Sequence, residues 1–63
     1  MRKYASDLTT SDKIIDKHTE RVVIIDDFDT SALDKILVFG YYEDDGTDWT
    51  RTLSTDSIVR MAC

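Results

Sequence analysis

The chain alternates short runs of branched and aromatic residues with polar clusters, which is the pattern of short β-strands joined by turns. The clearest run is 21–27, where four consecutive β-branched residues are flanked by charged ones, and the longest is 35–42. Further strands are predicted over 13–17, 47–53 and 58–61. The segment 4–12 is polar and turn-like, and 28–33 is predicted to be a loop in which 30–34 can form one helical turn. Val, Ile and Thr make up 18 of the 63 residues, so we predict a mainly β fold.

A β-hairpin is predicted between the third and fourth of these strands. Asp45-Gly46 has the composition of a two-residue type I′ turn. Counting outward from that turn pairs Tyr42 with Trp49, an aromatic cross-strand pair worth roughly 0.2–1 kcal/mol. The next pair towards the turn would be acidic on both sides, so a wider loop with a shifted register is the alternative.

The short length narrows the choice of fold. The chain is predicted to be a single domain over 1–63 with a thin core, and its one cysteine, Cys63, cannot form an internal disulfide. An open sheet of this size would expose two edges and an apolar face, whereas a barrel hides most of both. We therefore predict a small five-stranded SH3-like barrel, with the polar segment 1–12 packed on it and a short helical turn over 54–57 before the last strand.

Three segments resemble small SH3-like β-barrel proteins of actinobacteria and their phages. They are Ala5-Ser6-Asp7-Leu8 followed by Asp12-Lys13-Ile14, then Arg21-Val22-Val23, and finally Thr50-Arg51-Thr52-Leu53 followed by Asp56-Ser57-Ile58-Val59-Arg60. Those proteins usually have glycine where this chain has Ser11 and Glu20. The resemblance implies the barrel, the helical turn and a phage-like origin. It implies no mechanism, because most such proteins have no known function.

Candidate catalytic and metal-binding residues are sparse. His18 is the one histidine, and because a catalytic triad also needs an oxyanion hole and a substrate cleft, a loop histidine is the favoured interpretation. A calcium loop beginning at Asp27 fails, since Ala32 and Val38 occupy the positions that need glycine and glutamate. Cys63 has no electropositive neighbour in sequence to activate its thiol. The prediction is a non-enzymatic protein without metal or cofactor.

Charge is segregated along the chain, whose net charge is −5. The segment 26–48 holds eight acidic residues and one lysine, a net charge of −7, and the remainder carries +2. Such a segment attracts basic protein surfaces, although an acidic rim that only maintains solubility is the alternative. The net charge disfavours binding to nucleic acid or to acidic membranes. Since no apolar run is long enough for a signal peptide or a transmembrane helix, a cytoplasmic location is expected.

Both faces of two predicted strands are apolar. Strand 21–27 has β-branched residues on each face, and strand 35–42 has three large apolar side chains on each: Ile36, Val38 and Tyr42 against Leu37, Phe39 and Tyr41. A barrel of this size cannot bury all of them. We expect part of this surface to remain exposed as an interaction site, unless the N-terminal segment folds back over it.

The leading functional hypothesis is a small, phage-like accessory protein that acts as a protein-interaction module on a host or phage protein. The predicted partner-binding residues belong to the hairpin region: the apolar anchors Phe39, Tyr41, Tyr42 and Trp49, and the acidic residues Glu43, Asp44, Asp45 and Asp48. Two alternatives remain. One is an acidic mimic of nucleic acid that inhibits a DNA- or RNA-binding protein, and the other is a homo-oligomeric structural component.

Overall fold

The computed structural model describes residues 2–30 and 33–62 and has a mainly β fold of two antiparallel sheets. A 3₁₀ helix, Ala5–Asp7, follows the first strand. The strands are β1 (Arg2–Tyr4), β2 (Lys13–Ile15), β3 (Val22–Asp29), β4 (Lys35–Tyr42), β5 (Asp48–Ser54) and β6 (Ile58–Arg60). The two-stranded sheet pairs β1 with β6, and the four-stranded sheet has the order β2-β3-β4-β5.

The two sheets are joined into a curled half-barrel. A bridge between Ile14 and Met61 links β2 to the end of β6, and the Ala62 amide donates to the Lys13 carbonyl at 2.9 Å. Strands β1 and β5 therefore lie at the two edges of the curl. The prediction of a mainly β fold is confirmed, with six strands in two sheets where five strands in one barrel were predicted.

The core lies on one face of the curled sheet and includes the N-terminal segment. Ala5, in the 3₁₀ helix, and Leu8 join the same buried cluster as the strands. Ala5 and Leu8 therefore pack on the core side of the sheet. The largest fully buried side chains are Ile14, Val23, Ile25 and Val38, each at most 2% exposed.

Strand β3 runs two residues past its predicted end. A β-bulge between Ile25 and Asp27 inserts one residue and shifts the alternation of faces, so that Phe28 packs against the core. The prediction of a loop from Phe28 onward is wrong for this reason. The helical turn suggested over 30–34 falls partly on residues 31 and 32, which lie outside the described residues.

The hairpin between β4 and β5 is wider than predicted. Trp49 pairs with Gly40 rather than with Tyr42, and the Tyr42 amide donates to the Thr47 carbonyl at 2.9 Å. The loop therefore has four residues, 43–46, and ends in a glycine with φ +74°. The wider loop avoids the acidic cross-strand pair that a two-residue turn would impose.

The connection before β6 is a simple turn. The Ser57 amide donates to the Ser54 carbonyl at 3.0 Å, which closes one turn without a helix. The predicted helical turn is not confirmed at this position. The 3₁₀ helix lies instead in the N-terminal segment, where a polar turn was predicted.

In the described ranges 2–30 and 33–62, two residues other than glycine have a left-handed backbone. Ser11 has φ 74° and Glu20 has φ 58°. They stand at the two positions where the resembling SH3-like proteins usually have glycine. Both turns keep the backbone conformation that glycine adopts most easily, at a local cost in strain.

Candidate interaction surfaces

Asp16 is a buried carboxylate that lies just after β2 and binds side chains from β4 and β5. Its side chain is 1% exposed and accepts hydrogen bonds from the Tyr42 hydroxyl at 2.8 Å and the Trp49 indole N–H at 3.2 Å. The His18 backbone amide donates to the other carboxylate oxygen at 3.0 Å, and the Arg51 guanidinium lies 3.6 Å from that oxygen. Three hydrogen bonds and one cation therefore surround a single buried charge.

The surroundings of Asp16 keep it ionised. Burial by itself raises the pKa of this carboxyl, but the His18 amide, the Tyr42 and Trp49 donors and the Arg51 charge together lower the pKa to about 2. A carboxylate ionised at neutral pH cannot act there as a general acid. Its role in this geometry is to position two aromatic side chains. The strand pattern did not single it out, because one aspartate at a strand end is an ordinary surface position.

Trp49 and Tyr42 lie in the core region and not at the surface. Trp49 is 7% exposed, and Tyr42 packs against the buried cluster. Their prediction as exposed anchors for a partner is corrected here: the polar ends of both side chains bind Asp16, which holds both rings inward.

The acidic hairpin loop is paired with cations of the same chain. The Arg21 guanidinium donates to both oxygens of Asp44, at 2.7 and 3.0 Å, and lies 2.9 Å from Asp45. The Lys13 ammonium lies 2.8 Å from Glu43. Each of the three acidic residues in the loop, Glu43, Asp44 and Asp45, therefore has a basic neighbour. Because these charges are already paired, the loop attracts a basic partner less strongly than its sequence indicates.

Phe39 and Tyr41 lie on the side of the four-stranded sheet that faces away from the core. The strand register places Asp27 opposite Phe39 and Asp48 opposite Tyr41, and cross-strand partners share a face. Tyr41 is 38% exposed and Phe39 is half-buried. We define the outer face as Val22, Ile24, Leu37, Phe39 and Tyr41 together with Asp27 and Asp48. The same register places Asp29 opposite Leu37 and Lys13 opposite Ile24 on this side of the sheet, where the Lys13 ammonium pairs with Glu43.

The outer face is the surplus apolar surface expected from the sequence. Among the described elements, the extensive contacts are those between neighbouring strands and between β2 and β6, and none crosses this face. Ala5 and Leu8 pack on the core side instead. An apolar sheet face with acidic neighbours therefore remains accessible.

A second exposed surface lies on the two-stranded sheet. Arg2 stands opposite Arg60, and Tyr4 stands opposite Ile58. Tyr4 is 53% exposed and Ile58 is 61% exposed, and both arginines are exposed as well. We define these four residues as the basic face. Sequence reasoning missed it because residues 1–12 were interpreted as a polar segment without a strand and because the two arginines lie near opposite ends of the chain.

A groove of about 120 Å³ separates the end of β2 from β5 and β6. Lys17, Arg51 and Arg60 are among its lining residues, and the Asp16 carboxylate forms part of its wall. The Arg51 guanidinium also lies 5.5 Å from the Trp49 ring centre. The groove is small, and its one carboxylate is already engaged by internal donors.

Within residues 2–30 and 33–62, no three His, Cys, Asp or Glu side chains are grouped so that they could hold a metal ion. In the same part of the chain, no helix has the length and apolar character needed to cross a membrane. Comparisons with protein-family models and with curated proteins found no match to this chain.

Proposed function

We propose that this chain is a non-enzymatic protein-interaction module that binds a basic protein surface through its outer face. The observation that carries the proposal is the register of β3, β4 and β5, which sets Phe39 and Tyr41 beside Asp27 and Asp48 on the side of the sheet that faces away from the core. Aromatic side chains supply much of the energy of protein interfaces. The acidic neighbours select a partner with basic residues around an apolar centre.

This binding surface overlaps the predicted one only in part. Phe39, Tyr41 and Asp48 remain in it, whereas Tyr42 and Trp49 lie inward on Asp16. The paired acidic residues of the loop 43–46 have at most a peripheral role. The centre of the proposed interface therefore lies in the middle of the sheet, whereas the sequence predicted it at the tip of the hairpin.

The proposal includes an SH3-like barrel, an accessory role on a host or phage protein, and a place in the cytoplasm of the host cell. Two features support the resemblance on which these points rest. The first and last strands, β1 and β6, pair with each other. Ser11 and Glu20 have a left-handed backbone at the positions where the resembling proteins usually have glycine.

Affinity capture with two matched variants tests the proposal. Tyr41→Ser alters the outer face, and Leu33→Ser alters a fully exposed leucine between β3 and β4 that belongs to neither defined face. We expect proteins from a lysate of the source cell to be retained by the wild-type chain and by Leu33→Ser, and reduced about tenfold on Tyr41→Ser, which is near 1.4 kcal/mol. Circular dichroism checks that both variants are folded. Equal retention by the two variants would overturn the proposal.

Salt distinguishes this proposal from mimicry of nucleic acid. Binding centred on apolar side chains persists as salt is raised, because screening weakens only its charged rim. A nucleic-acid mimic loses binding steeply with salt, since its carboxylates replace phosphates. Complete loss of the captured proteins at high salt, without dependence on Tyr41, would favour the mimic.

A further inference from the structure

The basic face has the composition that the outer face requires in a partner. On the basic face, two arginines adjoin an exposed aromatic and an exposed aliphatic side chain. On the outer face, two aspartates adjoin a row of apolar side chains. One chain thus carries both halves of a complementary pair on two different sheets.

We propose that the outer face of one copy binds the basic face of a second copy, head to tail. This inference rests on the proposed function and names its partner. It follows from charge complementarity, because Arg2 and Arg60 would meet Asp27 and Asp48 of the neighbouring copy. Guanidinium and carboxylate groups form paired hydrogen bonds that also fix orientation.

The isolated chain leaves the basic face in an unfavourable state. Arg2 and Arg60 are directly opposite each other, and like charges in that position destabilise a sheet. No described carboxylate forms an ion pair with either arginine. Asp7 lines the neighbouring hollow with Arg2, but not within ion-pair distance. A neighbouring copy would relieve the repulsion and cover Tyr4 and Ile58.

The two faces lie on different sheets, so one contact leaves a free outer face at one end and a free basic face at the other. Such head-to-tail contacts build rings or open chains of copies. The whole chain exposes 4226 Å², so a standard interface of about 800 Å² per partner would take close to a fifth of its surface. We expect weak association that grows with concentration.

Charge reversal at each face tests the inference by sedimentation velocity across a concentration series. One variant carries Arg2→Glu with Arg60→Glu, and the other carries Asp27→Lys with Asp48→Lys. We expect the wild-type chain to associate and each variant alone to associate at least about tenfold more weakly. Mixing the two variants restores association, because each supplies the face that the other lacks. A single chain with all four substitutions should also associate, because the charges of both faces are reversed and remain complementary.

A control keeps the net charge of the outer-face variant without touching that face. Glu20→Lys with Asp34→Lys changes two exposed acidic residues in the connections before β3 and β4, outside the outer face, and should associate like the wild-type chain. Circular dichroism again checks folding. If instead this control dissociates as strongly as the outer-face variant, net charge and not the face drives association, and the inference is overturned.

The outcomes separate this inference from the proposed function. A wild-type chain that stays monomeric at every concentration, while Tyr41 is still needed to capture another protein, removes the second copy as partner and leaves the proposed function standing. Association that survives reversal of Arg2 and Arg60 also overturns the head-to-tail contact. Association that is lost with the basic face but unaffected by every change on the outer face overturns the head-to-tail contact, and the proposed function is overturned with it only when capture is also independent of Tyr41.

Discussion

Replacing Asp16 with asparagine should destabilise the fold far more than the near-identical shape of the two side chains indicates. The asparagine carbonyl can accept from the Tyr42 hydroxyl and the Trp49 indole, as one carboxylate oxygen now does. The amide NH₂ group then takes the position of the oxygen that accepts from the His18 backbone amide. Two donors would face each other in a buried site, and the attraction to Arg51 would be lost.

The magnitude follows from the contacts that are removed. A hydrogen bond to a charged group contributes roughly 1.5–3 kcal/mol, and leaving a buried donor unsatisfied costs roughly 1–3 kcal/mol. Lowering the pKa of Asp16 from 3.8 to about 2 corresponds to about 2 kcal/mol of stability. We expect a loss of about 3 kcal/mol, which is a large part of the total for a domain stable by about 0.05–0.15 kcal/mol per residue.

Urea unfolding followed by the fluorescence of Trp49, the one tryptophan, measures this loss. The Asp16→Asn midpoint should fall while the slope stays unchanged. Tyr42→Phe removes one donor only and should cost about 1 kcal/mol, so it reports on the same contacts if Asp16→Asn does not fold. Equal midpoints for the wild-type chain and Asp16→Asn would refute the reasoning.

Acid provides a second measurement of the same contacts. Because the pKa of Asp16 is lower in the folded chain than in the unfolded one, its stabilisation is complete above about pH 4 and is lost as the pH falls through about 2. Asp16→Asn should lack this part of the acid destabilisation. A variant with an unchanged acid transition would show that Asp16 does not supply it.

Four further variants test the fold. Gly40→Ala places a methyl group against the Ile24 backbone carbonyl and should lower the free energy of unfolding, measured in urea, by about 1–3 kcal/mol. An unchanged free energy of unfolding would contradict the spacing of β3 and β4. Ser11→Gly and Glu20→Gly each place glycine, which adopts a left-handed backbone without strain, at a residue with positive φ. Each change should raise the midpoint of thermal unfolding, with a gain in stability of up to about 1 kcal/mol. Lower midpoints would contradict those φ angles. Trp49→Ala should unfold the chain or destabilise it by about 3–5 kcal/mol, and a stable variant that only weakens partner binding would restore Trp49 as an exposed anchor.

Local sequence patterns predict the central strands well and the N-terminal strand poorly. Strand β4, Lys35–Tyr42, is found with its predicted bounds because a continuous apolar run lies between polar clusters. Strand β3 is extended by a bulge that no alternation pattern reveals. Strand β1 was missed because Arg2–Tyr4 becomes a strand only by pairing with β6 at the far end of the chain.

The binding surfaces were harder to predict than the strands. An aromatic residue in a hairpin has the same local pattern whether it points inward or outward. Trp49 points inward because its indole binds Asp16, 33 residues away in the chain. For β4, both faces are apolar, so only the folded sheet decides that Phe39 and Tyr41 are on the outer one.

Photo-cross-linking from position 41 tests the central claim most directly. A benzophenone side chain replaces Tyr41 on the outer face in one variant and exposed Thr47, beside the hairpin loop, in a control variant. Both are irradiated in lysate of the source cell and in purified form at high concentration. The account predicts a cross-linked product from position 41, to a captured protein or to a second copy, and little from position 47. A product from position 47 without one from position 41 would contradict it.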